Sequence, residues 1–351
     1  MTAERKDQHI ELALAQQPGI GANDFDAVRF VHHALAGGDV AAVDLRTSFA
    51  GVHWPVPLYI NGMTGGSARA GEVNHGLAIA ARETGVPIAS GSMSAYFKDP
   101  SQADTYRVLR RENPDGFVLA NINAETSVEQ ARRGIELLAA DALQIHINAV
   151  QETAMPEGDR AFSHWPERIA ELAAGAGVPV VVKEVGFGLS RRTLERLRDL
   201  GVPAADVAGR GGTDFARIEN DRRRLGEFAY LSGWGQSAPA CLLEAGGLDG
   251  IDVLGSGGVR HPLDVVRALA LGAAAVGVSG RFLAVLVQEG TEALIAEIRR
   301  WQGQLTQLMA LLGAVDVPSL RRTDVLITGE LAEYCRLRGI DVTGLARRSG
   351  T

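Results

Sequence analysis

The sequence of 351 residues predicts an α/β chain folded as a (β/α)8 barrel, the TIM-barrel architecture, and three observations point to it. Residues 255–282 read as strand, helix and strand with glycine turns: Gly257 and Gly258 close one strand, and Ser279 and Gly280 close the next. Between them Pro262 opens an amphipathic helix (Val265, Val266, Leu269, Ala270), which Gly272 ends. Short apolar runs recur between Ala/Leu-rich helical patterns, which implies a parallel sheet. Polar residues or glycines follow most of these runs, as they would around one shared mouth, whereas an open sheet would gather them at a single crevice.

In chain order, residues 1–56 form an extension before the first strand. The spacing then predicts strands over 58–60, 87–89, 116–120, 143–147, 180–183, 205–208, 251–255 and 274–278, with a helix after each. The stretch 214–241 is a long insertion after the sixth strand, and residues 285–345 supply further helices. One domain over 1–351 is expected, with a barrel core at 57–284 and a helical part at 285–351; no low-complexity linker divides it.

Composition narrows the function. Hydrophobic residues make up 46% and charged residues 22%, ordinary for a soluble globular chain with a large core. A formal net charge of −7 argues against general nucleic-acid affinity, so any anion must be held in a local pocket and the partner is a small molecule. The two cysteines, Cys241 and Cys335, form neither a disulfide framework nor a metal-ligand spacing. The charged N-terminus lacks a signal-like apolar stretch, and no run approaches the ~18 residues of a membrane span. A cytoplasmic protein without a membrane partner is expected.

The fourth strand carries the most diagnostic pattern. Period-two alternation places Leu143, Ile145 and Ile147 on one face and Gln144, His146 and Asn148 on the other, followed at once by Gln151 and Glu152. Each residue alone could be a satisfied polar group in a barrel interior; together they read as an active site. Lys183 ends the fifth strand, where burial of its amine calls for an anion. That anion could be a developing charge on a cofactor ring or a barrel carboxylate, and a Schiff-base role is the other use. Gly62-Met63-Thr64-Gly65-Gly66 after the first strand and Gly211-Gly212-Thr213 after the sixth read as backbone laid against a flat ligand. The glycine turns at 257–258 and 279–280 sit in the last two βα loops, where such barrels commonly hold phosphate.

Met-Thr-Gly-Gly after the first strand, His-x-Asn-x-x-Gln-Glu after the fourth, Lys183, Gly-Gly-Thr and the two C-terminal glycine turns, in this order, resemble type 2 isopentenyl diphosphate isomerase. The resemblance begins at Arg5-Lys6-Asp7-Gln8-His9 and reaches Arg338-Gly339-Ile340-Asp341. It implies an FMN- and Mg2+-dependent barrel enzyme of isoprenoid biosynthesis that interconverts isopentenyl and dimethylallyl diphosphate, with NADPH reducing the flavin, assembled as a homo-oligomer (tetramer or octamer). By that resemblance Gly62, Met63, Thr64, Ser92, Asn121, Lys183, Thr213, Gly258, Arg260, Ser279 and Gly280 contact FMN. Arg5, Lys6, Ser94, His146, Asn148 and Gln151 face substrate, Glu152 ligates Mg2+, and His146, Gln151 and Lys183 take the catalytic roles. Many relatives carry Gly-Ser-Gln-Arg after the second strand, with the Arg on the diphosphate; here the run is Gly91-Ser92-Met93-Ser94, without that charge. The nearest rival is an FMN-dependent 2-hydroxy-acid oxidase, which would need a histidine in the loop Gly209–Thr213 and finds none. A non-catalytic flavin-binding barrel would not call for the His146–Glu152 set.

Overall fold

The computed structural model describes residues 2–17 and 21–350. Its centre is a closed barrel of eight strands: β1 (Leu58–Ile60), β2 (Ile88–Ala89), β3 (Val118–Asn123), β4 (Ala142–His146), β5 (Val180–Lys183), β6 (Ala204–Asp206), β7 (Asp252–Ser256) and β8 (Val276–Val278). Each strand pairs in parallel with the next, and β8 closes on β1 through Val276↔Leu58, Gly277↔Tyr59 and Val278↔Ile60. Neighbouring parallel strands need a crossover, and the helices that supply it wrap the outside.

Alternation along the strands separates two cores. Outward residues such as Leu58, Ile60, Leu143, Ile145, Val180 and Val182 join the large cluster beneath the helices. Inward residues Tyr59, Leu119, Ala142, Val181, Ala204 and Leu254 fill the amino end of the barrel. A hairpin of Thr47–Phe49 and Val52–Trp54 plugs that end, with the Phe49 and Trp54 rings 4.7 Å apart and Trp54 5.3 Å from Tyr59. One step further along the strands the inward positions turn polar: Asn61, Asn121, Gln144, Asp206 and Ser256. Hydrogen bonds hold most of these buried groups, and Gln144 Oε1 alone among them lacks a partner. Asp206 accepts from the Tyr59 hydroxyl (2.6 Å), the Asn61 amide (2.8 Å) and the Ser256 hydroxyl (2.8 Å). A dry, apolar floor thus supports a polar mouth at the carboxyl end.

The sequence reading differs from the structure in bounded ways. β3 runs on to Asn123 because Asn121 and Asn123 pair with Gln144 and His146, although neither is apolar. The insertion read as 214–241 ends earlier, since Ser237 caps a helix at Ala238–Ala245 that packs against β7. The C-terminal part is not only helical: Val325–Ile327 pairs antiparallel with Val28–Phe30 and ties the two ends of the chain together. The extension also holds a helix, Thr2–Gln16, laid over the mouth with Lys6, Ile10 and Ala13 buried. It is strapped down by Ser67 to Asp7 (2.6 Å), Arg69 to Glu11 (2.7 Å) and the Asp214 amide to Gln16 (2.7 Å).

Candidate active site at the carboxyl end of the barrel

The polar mouth opens into a cavity of about 420 Å3 beneath the N-terminal helix. Every residue anticipated for cofactor, substrate or metal lines it except Arg260. Arg260 is instead held by Asp264 (2.8 Å to Nε) and Asp26 (2.7 Å to Nη2), with Nη1 also donating to the Gly21 carbonyl. Two carboxylates hold its guanidinium beside the glycine turn.

The glycine turn fits a flat, phosphorylated ligand. Gly257 and Gly258 take φ of +94° and +75°, and a Cβ on Gly257 would stand 1.9 Å from the Gly209 carbonyl oxygen. Ser279 and Gly280 begin the helix Gly280–Glu289, whose amino end adds unpaired backbone donors beside that turn. Thr64 lines the same cavity with its hydroxyl buried and unpartnered, a polar atom that a ligand would satisfy. The set therefore suits FMN.

His146 and Lys183 stand side by side, since their strands pair His146↔Lys183. The Asn121 amide donates to the Ser90 carbonyl (3.1 Å) and so turns its oxygen to His146 Nδ1 (2.9 Å). Nδ1 then carries the proton, leaving Nε2 as an acceptor in a neutral ring. Burial, and next the Lys183 charge, push His146 down to about 3, so the ring stays neutral at working pH. Lys183 is 7% exposed, and burial lowers its pKa against the opposing pull of Asp206 and then Glu184.

Glu184, unremarked in the sequence, is buried behind Lys183 and accepts from the backbone of Val185 (2.6 Å), Gly186 (2.8 Å) and Phe187 (2.6 Å). Burial outweighs these bonds and pushes its carboxyl up to about 7. The folded state therefore holds a proton between the ordinary carboxylate range and pH 7 that the unfolded chain has lost, so stability falls as pH rises through that window. Glu184→Gln removes this cost. Thermal unfolding should show the variant more stable than the parent at pH 8 and the advantage gone at pH 4; an equal advantage at both values would mean that charge is not the cause.

Across the mouth, Asn148 donates to Gln151 (3.1 Å) and to Glu152 (2.9 Å). The other Glu152 oxygen accepts from the Asp159 amide (2.9 Å), and burial raises its pKa. This under-neutralised carboxylate suits one edge of a Mg2+ shell. Among the described residues no group of three or more acidic, histidine or cysteine side chains could hold a metal alone, so other ligands must come from substrate or water.

Gln151 in turn donates to Glu219 (2.8 Å), which the sequence did not flag. Glu219 is buried on the helix Phe215–Asp221 with His9 at 3.1 Å and a close pair to Arg222. Against the upward push of burial, His9, Gln151 and Arg222 hold it down at about 2. Lys6 reaches the cavity from the N-terminal helix, and burial, then the Arg5 charge, lower its ammonium to about 8. An approaching anion would relieve that cost.

Known proteins share both sequence and fold with this chain. The FMN-dependent dehydrogenase family matches residues 102–327. An isopentenyl-diphosphate delta-isomerase of Nocardia farcinica is 61% identical over 99% of this chain and 97% of its own length. The protein of the same name from a Streptomyces species is 61% identical over 100% and 96%, and that from Listeria monocytogenes 45% over 98% and 97%. Among solved structures, a mandelate oxidase with a monooxide FMN adduct superposes with a TM-score of 0.63 at 19% identity, covering 91% of this chain and 92% of that one. A flavocytochrome b2 with benzoylformate gives 0.63 at 20% identity, covering 88% and 77%. At such identity these two structures speak for the barrel alone.

Proposed function

From the premise that this chain belongs to the FMN-dependent dehydrogenase family and, within it, to the isopentenyl-diphosphate delta-isomerases, we propose that it moves the double bond with reduced FMN as an acid–base cofactor and Mg2+ on the diphosphate. NADPH is the proposed source of reducing equivalents. The observation that carries this reading is a buried Lys183 facing the same cavity as the glycine cradle, with no histidine in the loop Gly209–Thr213 after β6.

Two histidines line the cavity from elsewhere in the chain: His146 sits on β4 with Nδ1 against Asn121, and His9 on the N-terminal helix is tied to Glu219. The loop after β6 offers none; its Arg210 turns outward to the Gly233 carbonyl (3.2 Å). Oxidation of a 2-hydroxy acid would lack its base, so the rival reading gains no support here.

When bound, reduced FMN supplies the acid–base chemistry, one proton given and one taken with no net oxidation. Lys183 provides a fixed positive charge where the reduced ring carries negative charge, a preorganised stabilisation that costs no reorganisation during reaction. Arg5 and Lys6 hold diphosphate oxygens with charge-assisted bonds, beside the Ser94 hydroxyl. Glu152 ligates Mg2+, Asn148 orients Glu152 and Gln151, and the N-terminal helix keeps bulk water from the alkene. An anaerobic assay with isopentenyl diphosphate, FMN, Mg2+ and a reductant should yield dimethylallyl diphosphate. No product, with oxidation of a 2-hydroxy acid in its place, would overturn the reading.

A further inference from the structure

In the corner of the cavity after β2 Ser94 brings no charge, yet the corner is not without one. Ser94 opens the short helix Ser94–Lys98, and its hydroxyl is shared with Ser92 (2.9 Å). Lys98 lies four residues on, so the two fall on one helical face, and both line the cavity with Arg5 and Lys6. Lys98 makes no ion pair or hydrogen bond among the described residues, and neither does the Lys6 ammonium, which is only 8% exposed. The charges on Lys98 and Arg5 both reach Lys6 and disfavour its protonation. The one carboxylate acting on Lys6 is Glu219, already shared among His9, Gln151 and Arg222. Three cations thus meet at one rim, and among the described residues the only ion pair any of them makes is that of Arg5 with Glu157 at 3.4 Å.

We infer that Lys98 is a third cation of the diphosphate subsite, closing on the distal phosphate from the β2 side and standing in for the charge missing at Ser94. The inference rests on the isomerase reading for the identity of the substrate. A charge on a long, flexible stem can reach a phosphate from one turn further along the helix. A solvated surface lysine is the alternative, and it makes a different forecast.

The test uses full-length, FMN-loaded protein and its Lys98→Ala and Lys98→Arg variants. Calorimetric binding of inorganic pyrophosphate and the KM for isopentenyl diphosphate should both weaken about tenfold in Lys98→Ala, with the loss in KM rather than kcat. Lys98→Arg should recover most of it, and FMN affinity should not move. Pyrophosphate binding and KM unchanged in Lys98→Ala would overturn the assignment. Pyrophosphate binding that depends on Lys98 in a protein that isomerises nothing would keep the anion site and overturn the isomerase reading instead.

Discussion

Lys183→Ala is expected to lower kcat/KM by about 10^3-fold, the largest single loss in the protein. The ammonium is buried at the end of β5 beside Asp206, its register partner on β6, and no other lysine occupies an inward strand position. Removing it takes away a preorganised charge, typically worth 10^2–10^3 in rate. It also takes a neighbouring positive charge from the buried Asp206, which costs some stability. Two effects must therefore be separated. Lys183→Met fills the same space without charge, and its FMN reduction potential should fall along with kcat, since the reduced ring loses its counter-charge. A variant whose potential and kcat both match the parent would show that Lys183 serves only the barrel.

Glu152→Gln is expected to be the next most costly change. The substitution preserves size and leaves an oxygen to accept from Asn148 or Asp159, but removes the charge that a hard cation prefers. Activity at low millimolar Mg2+ should drop by about 100-fold, and the Mg2+ needed for half-maximal rate should rise at least about tenfold. A normal magnesium titration with normal activity would return Glu152 to a purely structural tie between Asn148 and the 159 loop.

How much of this was legible beforehand depended on whether the signal was local. The inward ladder Gln144–His146 could be read because period two is a property of five consecutive residues, and Lys183 because a charged residue ends an all-valine run. The glycine turns announced themselves for the same reason. Glu219 could not be found this way: it sits in a short, charged helix that reads as solvent-facing, and its burial depends on Gln151, 68 residues away, and on His9 from the opposite end of the chain. The partners of Arg260 are hidden in the same way, because a motif carries the turn but not the carboxylates around it; Asp26 lies 234 residues earlier. The strand Val325–Ile327 was missed because three residues at a sheet edge carry too little periodicity to stand out. Local chemistry was visible, and the partners supplied by tertiary contact were not.

The role of the flavin is tested most directly by counting reductant against product in D2O. Enzyme with FMN is reduced once, under anaerobic conditions, and given a large excess of isopentenyl diphosphate with Mg2+ and no further reductant. Many molecules of dimethylallyl diphosphate per reducing equivalent are expected, carrying solvent deuterium, because substrate and product share one oxidation level. One reducing equivalent consumed per product, or full turnover with oxidised FMN and no reductant, would contradict an acid–base role for the reduced cofactor.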